Sequence, residues 1–336
     1  MRVGLIGAGL QGWRRAPVLK QFPGTEVVIV ATAHQETAER LANSIGCQAT
    51  TNWAEVVEKD LDAVLVCTPP HLHAPISIAA MKTGKHVLCE KPLARSLDEA
   101  EEIVKVAQEN GVKLKCGFNH RHHPGIQQAR EWFDKGIIGE LNFLRCRYGI
   151  CGRPGYEREW RAKPEIAGGG HLMEQGIHAV DLFRWFLGEF TEVVGFTATR
   201  FWDMAPLEDN AFALFRTEKG QVASLHSSLT QWKNLFSFEI FGQDGYILVD
   251  GLGGSYGTEK VTLGKRALLE PFKEETTEFR GGDRSWYEEW KEFVAAIKED
   301  REPLGNGRDG LEALKLVNAV YQSAANSCVV KLFRGA

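Results

Sequence analysis

Three groups of residues in this 336-residue chain have side chains and spacings suited to chemistry. The first is Gly7-Ala8-Gly9-Leu10-Gln11-Gly12, a G-x-G-x-x-G loop close to the N-terminus. Between a strand and a helix, such a loop brings free backbone N–H groups and the positive end of the helix dipole to a pyrophosphate. Gly7 permits the tight turn, Gly9 lets the backbone approach the phosphates, and Gly12 lets helix and strand pack closely. The second group is Glu90-Lys91-Pro92, which sets an ammonium directly behind an apolar run. The third is Gly168-Gly169-Gly170, followed by His171, Glu174 and His178. Glu174 and His178 are four apart and share a face if the segment is an α-helix. A carboxylate beside an imidazole raises its basicity and fixes its tautomer. Oxidising an alcohol needs such a base to take the hydroxyl proton while hydride leaves the same carbon.

These groups need elements to hold them. Residues 2–6, 27–31, 63–67, 86–89 and 113–118 are short apolar runs bounded by glycine, proline or polar residues, and read as buried strands. Thr68-Pro69-Pro70 ends the third run, because proline has no N–H for a ladder. Between the runs, residues 11–20, 36–45, 76–82 and 96–110 have helical composition, the last opened by the capping box Ser96-Leu97-Asp98-Glu99. Alternation of this kind defines an α/β fold: an N-terminal doubly wound parallel sheet of Rossmann type. After about residue 120 the rhythm changes. Residues 124–135 and 171–187 read as helices, and 193–250 contain period-2 segments of a mostly antiparallel sheet. Residues 286–298 and 308–323 read as late helices, and 329–333 as a final strand. The expected domain boundary lies near residue 120.

In an open parallel sheet, ligands lie at the carboxyl ends of the strands, which places Lys91 near a nicotinamide. An acidic residue about 20 positions past the glycine loop would hold the ribose hydroxyls of NAD. That place is taken by Thr32, with His34 nearby; no carboxylate repels a 2′-phosphate and no arginine receives one. The cofactor therefore reads as NAD or NADP. A metal is not expected: His171, Glu174 and His178 could ligate zinc, and His71, His73 and 120–123 add imidazoles, but no Cys or His pairing recurs at zinc-site spacing.

The chain resembles the glucose–fructose oxidoreductase / inositol dehydrogenase / MocA family. The resemblance rests on the glycine loop, Thr68-Pro69-Pro70 with His73, Gly84-Lys85-His86-Val87 running into Glu90-Lys91-Pro92, and the triple glycine with Gly176, His178 and Asp181. It implies an NAD(P)-binding Rossmann domain over 1–120 and an α+β domain with a large open sheet over 121–336, hydride transfer between NAD(P) and a secondary alcohol or ketone of a sugar, polyol or cyclitol, and homodimers or homotetramers paired through the C-terminal sheet. Lys91, His178 and Glu174 are the implied catalytic set. Glu174 stands where the family usually has Asp, one methylene shorter. The implied cofactor contacts are Gly7, Ala8, Gly9, Leu10, Gln11, Gly12, Thr32, His34, Thr68, Pro69, His71, His73, Glu90, Lys91 and Asn119, joined by Trp160, Arg161 and Tyr287. Arg121, Arg153 and Arg158 are expected to meet a carboxylate or phosphate on the substrate, since guanidinium matches both. If they bind a diphosphate, a nucleotide-sugar dehydrogenase or ketoreductase is favoured. A dinucleotide-sensing regulator that lost its chemistry is the third reading, and the presence of both Lys91 and His178 argues against it.

Composition sets outer bounds. With 40 Lys+Arg against 44 Asp+Glu, the net charge of -4 gives no reason to expect nucleic acid or a membrane surface as partner. No apolar run approaches the ~18 residues of a membrane span. Seven scattered cysteines, none in a C-x-x-C pair, suggest free thiols in a reducing, cytoplasmic setting. Thr32→Asp should add a ribose hydrogen bond for NAD and a like-charge clash with a 2′-phosphate, raising the NAD to NADP ratio of kcat/KM on the order of tenfold or more. Paired cofactor titrations check this; unchanged NADP use would mean that Thr32 does not face the adenosine ribose.

Overall fold

The structure is a computed structural model and describes residues 1–332. Its elements run β1 (Arg2–Ile6), α1 (Leu10–Gln21), β2 (Glu26–Ala31), α2 (Gln35–Ile45), β3 (Gln48–Thr50), α3 (Trp53–Glu58), β4 (Ala63–Val66), α4 (His73–Lys82), β5 (His86–Cys89), α5 (Leu97–Glu109) and β6 (Leu114–Cys116). The strands pair in parallel in the order β3-β2-β1-β4-β5-β6. Val3, Leu5 and Ile6 in β1 and all four residues of β4 are buried, which is why the central strands are continuous apolar runs. The strand order reverses between β1 and β4, and the loops leaving both strands carry the glycine motif and Thr68. Gly7 has φ of +107°, and a Cβ there would sit 2.5 Å from the Cys67 carbonyl. A Cβ on Gly12 would collide with the Gly7 carbonyl oxygen, so close helix–strand packing demands glycine. Ser96 caps α5, its Oγ accepting from the Glu99 N–H. Sequence reading missed β3 and α3; three and six residues are too short to show a period.

The chain then continues with α6 (Pro124–Asp134), β7 (Leu141–Cys151), α7 (Pro164–Ala167), α8 (Ile177–Leu187), β8 (Phe190–Ala198), β9 (Asn210–Thr217), β10 (Val222–Ser228), β11 (Thr230–Gly242), β12 (Gly245–Asp250), β13 (Glu259–Lys265), β14 (Glu274–Phe279), α9 (Ser285–Lys298), α10 (Gly307–Asn326) and β15 (Val330–Lys331). Nine strands form one sheet in the order β14-β13-β12-β11-β7-β10-β9-β8-β15, antiparallel except for the β7–β10 pair. Helix α6 lies on β12 and β13, and α8 on β7 and β10. The expected final strand over 329–333 is reduced to β15; Phe333 lies outside the described residues. The helix expected over 171–187 is in fact a wide π-type turn, Leu172–Gly176, leading into α8.

The chain divides into two compact units, and neither is contiguous. The first is 1–119 with 165–168 and 286–314; the second is 120–164, 169–285 and 315–336. The expectation of one C-terminal domain over 121–336 is corrected accordingly. The reason lies in α9, whose Trp290, Phe293 and Val294 recur at i, i+3 and i+4 and are buried in one core with Leu19, Val30 and Leu41. The Trp290 indole N–H donates to Thr25 Oγ1 at 3.1 Å. Among the described residues, no helix is long and apolar enough to cross a membrane.

Candidate active site

In the first unit the glycine loop makes a cradle. Gly9, the N-cap of α1, has no side chain to cap the helix, and a Cβ there would meet no protein atom within 4 Å. Ala8 is buried under the loop, Leu10 is exposed, and Gly7 lies against the Thr68 backbone N–H. Among the described residues, Thr68 Oγ1 and Gln11 Oε1 are buried polar atoms that meet no protein partner. An open backbone approach, free helix N–H groups and two such atoms suit a dinucleotide pyrophosphate. Thr32 lies half-buried just past β2, its N–H donating to the Thr50 carbonyl, and His34 is the exposed N-cap of α2.

Lys91 follows β5 and is half-buried. Its neighbours do not face a cofactor as expected. Glu90 accepts from Arg15 Nε at 2.7 Å in a buried pair, and Arg15 Nη2 lies 2.8 Å from Glu289 of α9. Burial opposes the Arg15 charge, but the two carboxylates hold its pKa above the usual arginine value. Burial also pushes the Glu289 carboxyl up. His73 is the second correction. It is buried, with Nδ1 2.8 Å from the Pro92 carbonyl and Nε2 2.8 Å from the Thr68 carbonyl. Burial pulls its pKa below the ordinary histidine value, against the two carbonyls that favour the proton. With its pKa lowered the ring has one N–H and donates to one of the two carbonyls; wedged between them, His73 bridges the loops of Thr68 and Lys91, and its nitrogens face the backbone. Pro69 opens the turn Pro70–Leu72, and burial also lowers the pKa of half-buried His71. Asn119 is buried just past β6. Tyr287 is the third correction. Its ring packs 5.3 Å from Phe22, at the far end of the twelve-residue α1, roughly 18 Å along the helix from the glycine loop.

In the second unit, two glycines of the triple set are explained by what lies against them. A Cβ on Gly169 would sit 2.5 Å from the Tyr321 hydroxyl, and one on Gly170 would collide with Glu208. The buried Glu208 carboxylate accepts from the N–H groups of Gly170 at 3.0 Å and Leu172 at 2.8 Å, and from the Tyr321 hydroxyl at 3.0 Å. This clamp holds the entry to the turn bearing Glu174. Sequence reading missed Glu208 and Tyr321, although three successive glycines were the signal that something packs hard against that backbone. In the π-type turn, four-residue spacing is not the α-helical register that the one-face reading assumed. The Glu174 carboxylate accepts from Arg161 Nε at 2.7 Å and from the Tyr156 hydroxyl at 3.1 Å. Burial works against the Arg161 charge, but Glu174 holds it above the usual value, and the guanidinium stacks 4.3 Å from the half-buried Trp160 ring. His178, in the first turn of α8, is buried and stacked on His120. Arg121 is a fourth correction: it is buried and forked onto Asp181 at 2.8 and 2.6 Å, so it offers no free guanidinium to a substrate. Arg153 and Arg158 are exposed, on Glu159 at 2.6 Å and Glu157 at 3.8 Å.

A parallel sheet in dinucleotide-binding order with a glycine cradle, followed in the chain by a large mixed sheet bearing a histidine helix, defines a class of nicotinamide-dependent oxidoreductases. Residues 1–118 match the family model described as "Oxidoreductase family, NAD-binding Rossmann fold", and residues 126–248 that of the "GFO/IDH/MocA C-terminal domain". The chain belongs to the GFO/IDH/MocA oxidoreductase family. It is 29% identical to inositol 2-dehydrogenase of Rhizobium meliloti (strain 1021), over 97% of each chain. It is 30% identical to dTDP-3,4-didehydro-2,6-dideoxy-alpha-D-glucose 3-reductase of Saccharopolyspora spinosa, over 74% of each. Among solved structures, levoglucosan dehydrogenase in complex with NADH and levoglucosan matches with a TM-score of 0.90 and 25% identity, over 98% of this chain and 99% of that one.

The Glu208 clamp has a pH signature. Burial pushes its carboxyl up from the ordinary 4.5 to about 7, against its hydrogen-bond donors. The folded form thus holds the proton more tightly than the unfolded chain. The resulting contribution to stability is whole below 4.5 and is lost as pH rises through about 7. Glu208→Gln should flatten the dependence of Tm on pH across that window; an unchanged slope in thermal melts would remove Glu208 as its source.

Proposed function

We propose that this protein is an NAD-dependent dehydrogenase or reductase acting on a secondary alcohol or ketone of a sugar, polyol or cyclitol. The observation that carries the reading is the cradle at Gly7–Gly12, with open space over Gly9 and the buried polar atoms of Thr68 and Gln11 turned toward no protein partner among the described residues. When bound there, nicotinamide accepts or returns the hydride. Lys91 orients and polarises the reacting oxygen, as an ammonium does for developing negative charge. His178 takes the hydroxyl proton as the carbonyl forms and returns it in reduction. Glu174, its charge anchored by Arg161, is the supporting carboxylate. Thr32 carries no charge to exclude a 2′-phosphate, so NADP is the second cofactor to test.

A nucleotide-sugar substrate is the second reading, favoured by Arg153 and Arg158 exposed on the stretch before the triple glycine. The relative named as a dTDP-sugar reductase bears on the same point. A second copy of the chain is the expected protein partner. Phe196 and Phe212 are cross-strand partners on β8 and β9, Phe212 stacks on His226 of β10, and Leu214 lies two residues on; all three apolar side chains are exposed. An apolar sheet face of this kind suits a self-complementary contact. Among the described residues no cysteine is joined in a disulfide, which fits a cytoplasmic setting.

The screen is oxidation of levoglucosan, myo-inositol and sugar nucleotides, followed at the nicotinamide absorbance with both cofactors. Lys91→Ala and His178→Ala should each lower kcat about 10²–10⁴-fold while leaving NADH binding intact. Either variant turning over at the wild-type rate would remove that residue from the mechanism. Phe212→Glu should convert the oligomer to monomer in sedimentation; a wild-type chain that already sediments as a monomer would sink the assembly.

A further inference from the structure

We infer that His120 is a positioning residue for His178, holding its ring by a stacking contact that Tyr148 locks. The inference rests on the reading of His178 as the base. The two imidazole centres lie 3.7 Å apart with their planes inclined by 15°, and both rings are buried. His120 comes from the turn Asn119–His122, far in sequence from α8, so the contact exists only in the folded chain. The His120 ring is itself fixed. Its Nε2 lies 3.1 Å from the Tyr148 hydroxyl, and Phe236 stands edge-on at 5.8 Å. Tyr148 gives its one proton to Gln175 Oε1 at 2.7 Å, so its oxygen must accept from His120. That holds His120 with a proton on Nε2. The Tyr256 hydroxyl, 3.3 Å away, completes the anchor.

The physical consequence falls on His178. The terminal torsion of a histidine is broad, so an unsupported ring would sample many directions. A parallel ring at contact distance blocks that torsion, because turning about Cβ–Cγ would drive the ring edge into His120. When His178 takes a proton, the new cation lies over a π face, which attracts it, instead of an apolar wall. Two stacked imidazolium rings would repel, so an added proton on one ring disfavours one on the other. Two further titratable groups meet His120. His123 meets His120 edge-on at 5.6 Å and has Glu259 at 3.1 Å and Asp283 at 3.9 Å. Tyr148 is kept protonated by burial and by Tyr256, with Glu174 adding to the effect.

The test compares His120→Ala, His120→Phe and His178→Ala in the full chain, on the substrate oxidised in the screen above. His120→Ala should lower kcat about tenfold or more with KM and the Kd for NADH within about twofold, because ring placement is lost and binding is not. His120→Phe keeps a stacked ring and should regain most of kcat. By NMR of the histidine ring protons, His178 should titrate at higher pH in His120→Phe than in the wild type, since its competitor for the proton is gone. Wild-type kcat in His120→Ala, or His120→Phe no better than His120→Ala, overturns the inference. If His120→Ala loses its near-ultraviolet circular dichroism, His120→Phe and the titration decide. Full activity in His178→Ala sinks the reading of the base itself; loss there with indifference at His120 sinks this inference alone.

Discussion

A single arginine buried between two carboxylates governs the first unit. Arg15 reaches Glu90 at 2.7 Å and Glu289 at 2.8 Å with almost no exposure to water. Removing one member of such a set leaves an uncompensated buried charge, at a cost of about 3–5 kcal/mol, so the three must assemble together. Each stands on an element with a task. Arg15 lies on the helix that opens at the glycine cradle, Glu90 precedes Lys91, and Glu289 lies on α9. Burial favours the proton on Glu289, against the pull of Arg15 and of the buried Lys115. Gly117 belongs to the same constraint: a Cβ there would come 3.1 Å from Glu90 and 3.3 Å from Arg15.

The second unit uses a different device for the same end. Glu208 accepts two backbone N–H groups at the start of the π-type turn and is backed by Tyr321 from α10. Turns of this wider type recur at functional sites, because they break the regular register and re-aim side chains. Here the turn bears Glu174, gripped by Arg161 and Tyr156, and leads into α8 with His178 in its first turn. Arg121 and Asp181 form a buried bidentate pair one helical turn further on. Arg121, which looks on paper like a substrate ligand, is thus spent on holding α8.

Much of the fold was legible because local signals agreed with the global one. The runs at β1, β2, β4 and β5 are apolar because both faces of a parallel sheet are covered, and glycines or prolines mark where they stop. The period-2 segments of β9, β10 and β11 showed a half-covered sheet for the same local reason. The short β3 and α3 escaped because they are held by their neighbours and have no period of their own. The contiguous second domain failed because α9 is amphipathic wherever it packs. Its apolar stripe says that it must be buried, and only the assembled chain says against what.

The site divides along the same line. Gly7, Gly9 and Gly12, the lysine behind β5 and the histidine of α8 are decided by residue type and spacing, since backbone conformation and strand ends are local properties. The sequence alone therefore determined the dinucleotide fold, the family resemblance and the candidates for catalysis. Side-chain destinations are not local. His73 on the Pro92 carbonyl, Tyr287 on Phe22, Arg121 on Asp181 and His120 on His178 each join residues 19 to 265 positions apart. Arg161 on Glu174 is nearer, yet it depends on the same folding of the turn. Burial makes those partnerships obligatory, because a polar group taken from water must find another, and only tertiary structure decides which one is within reach.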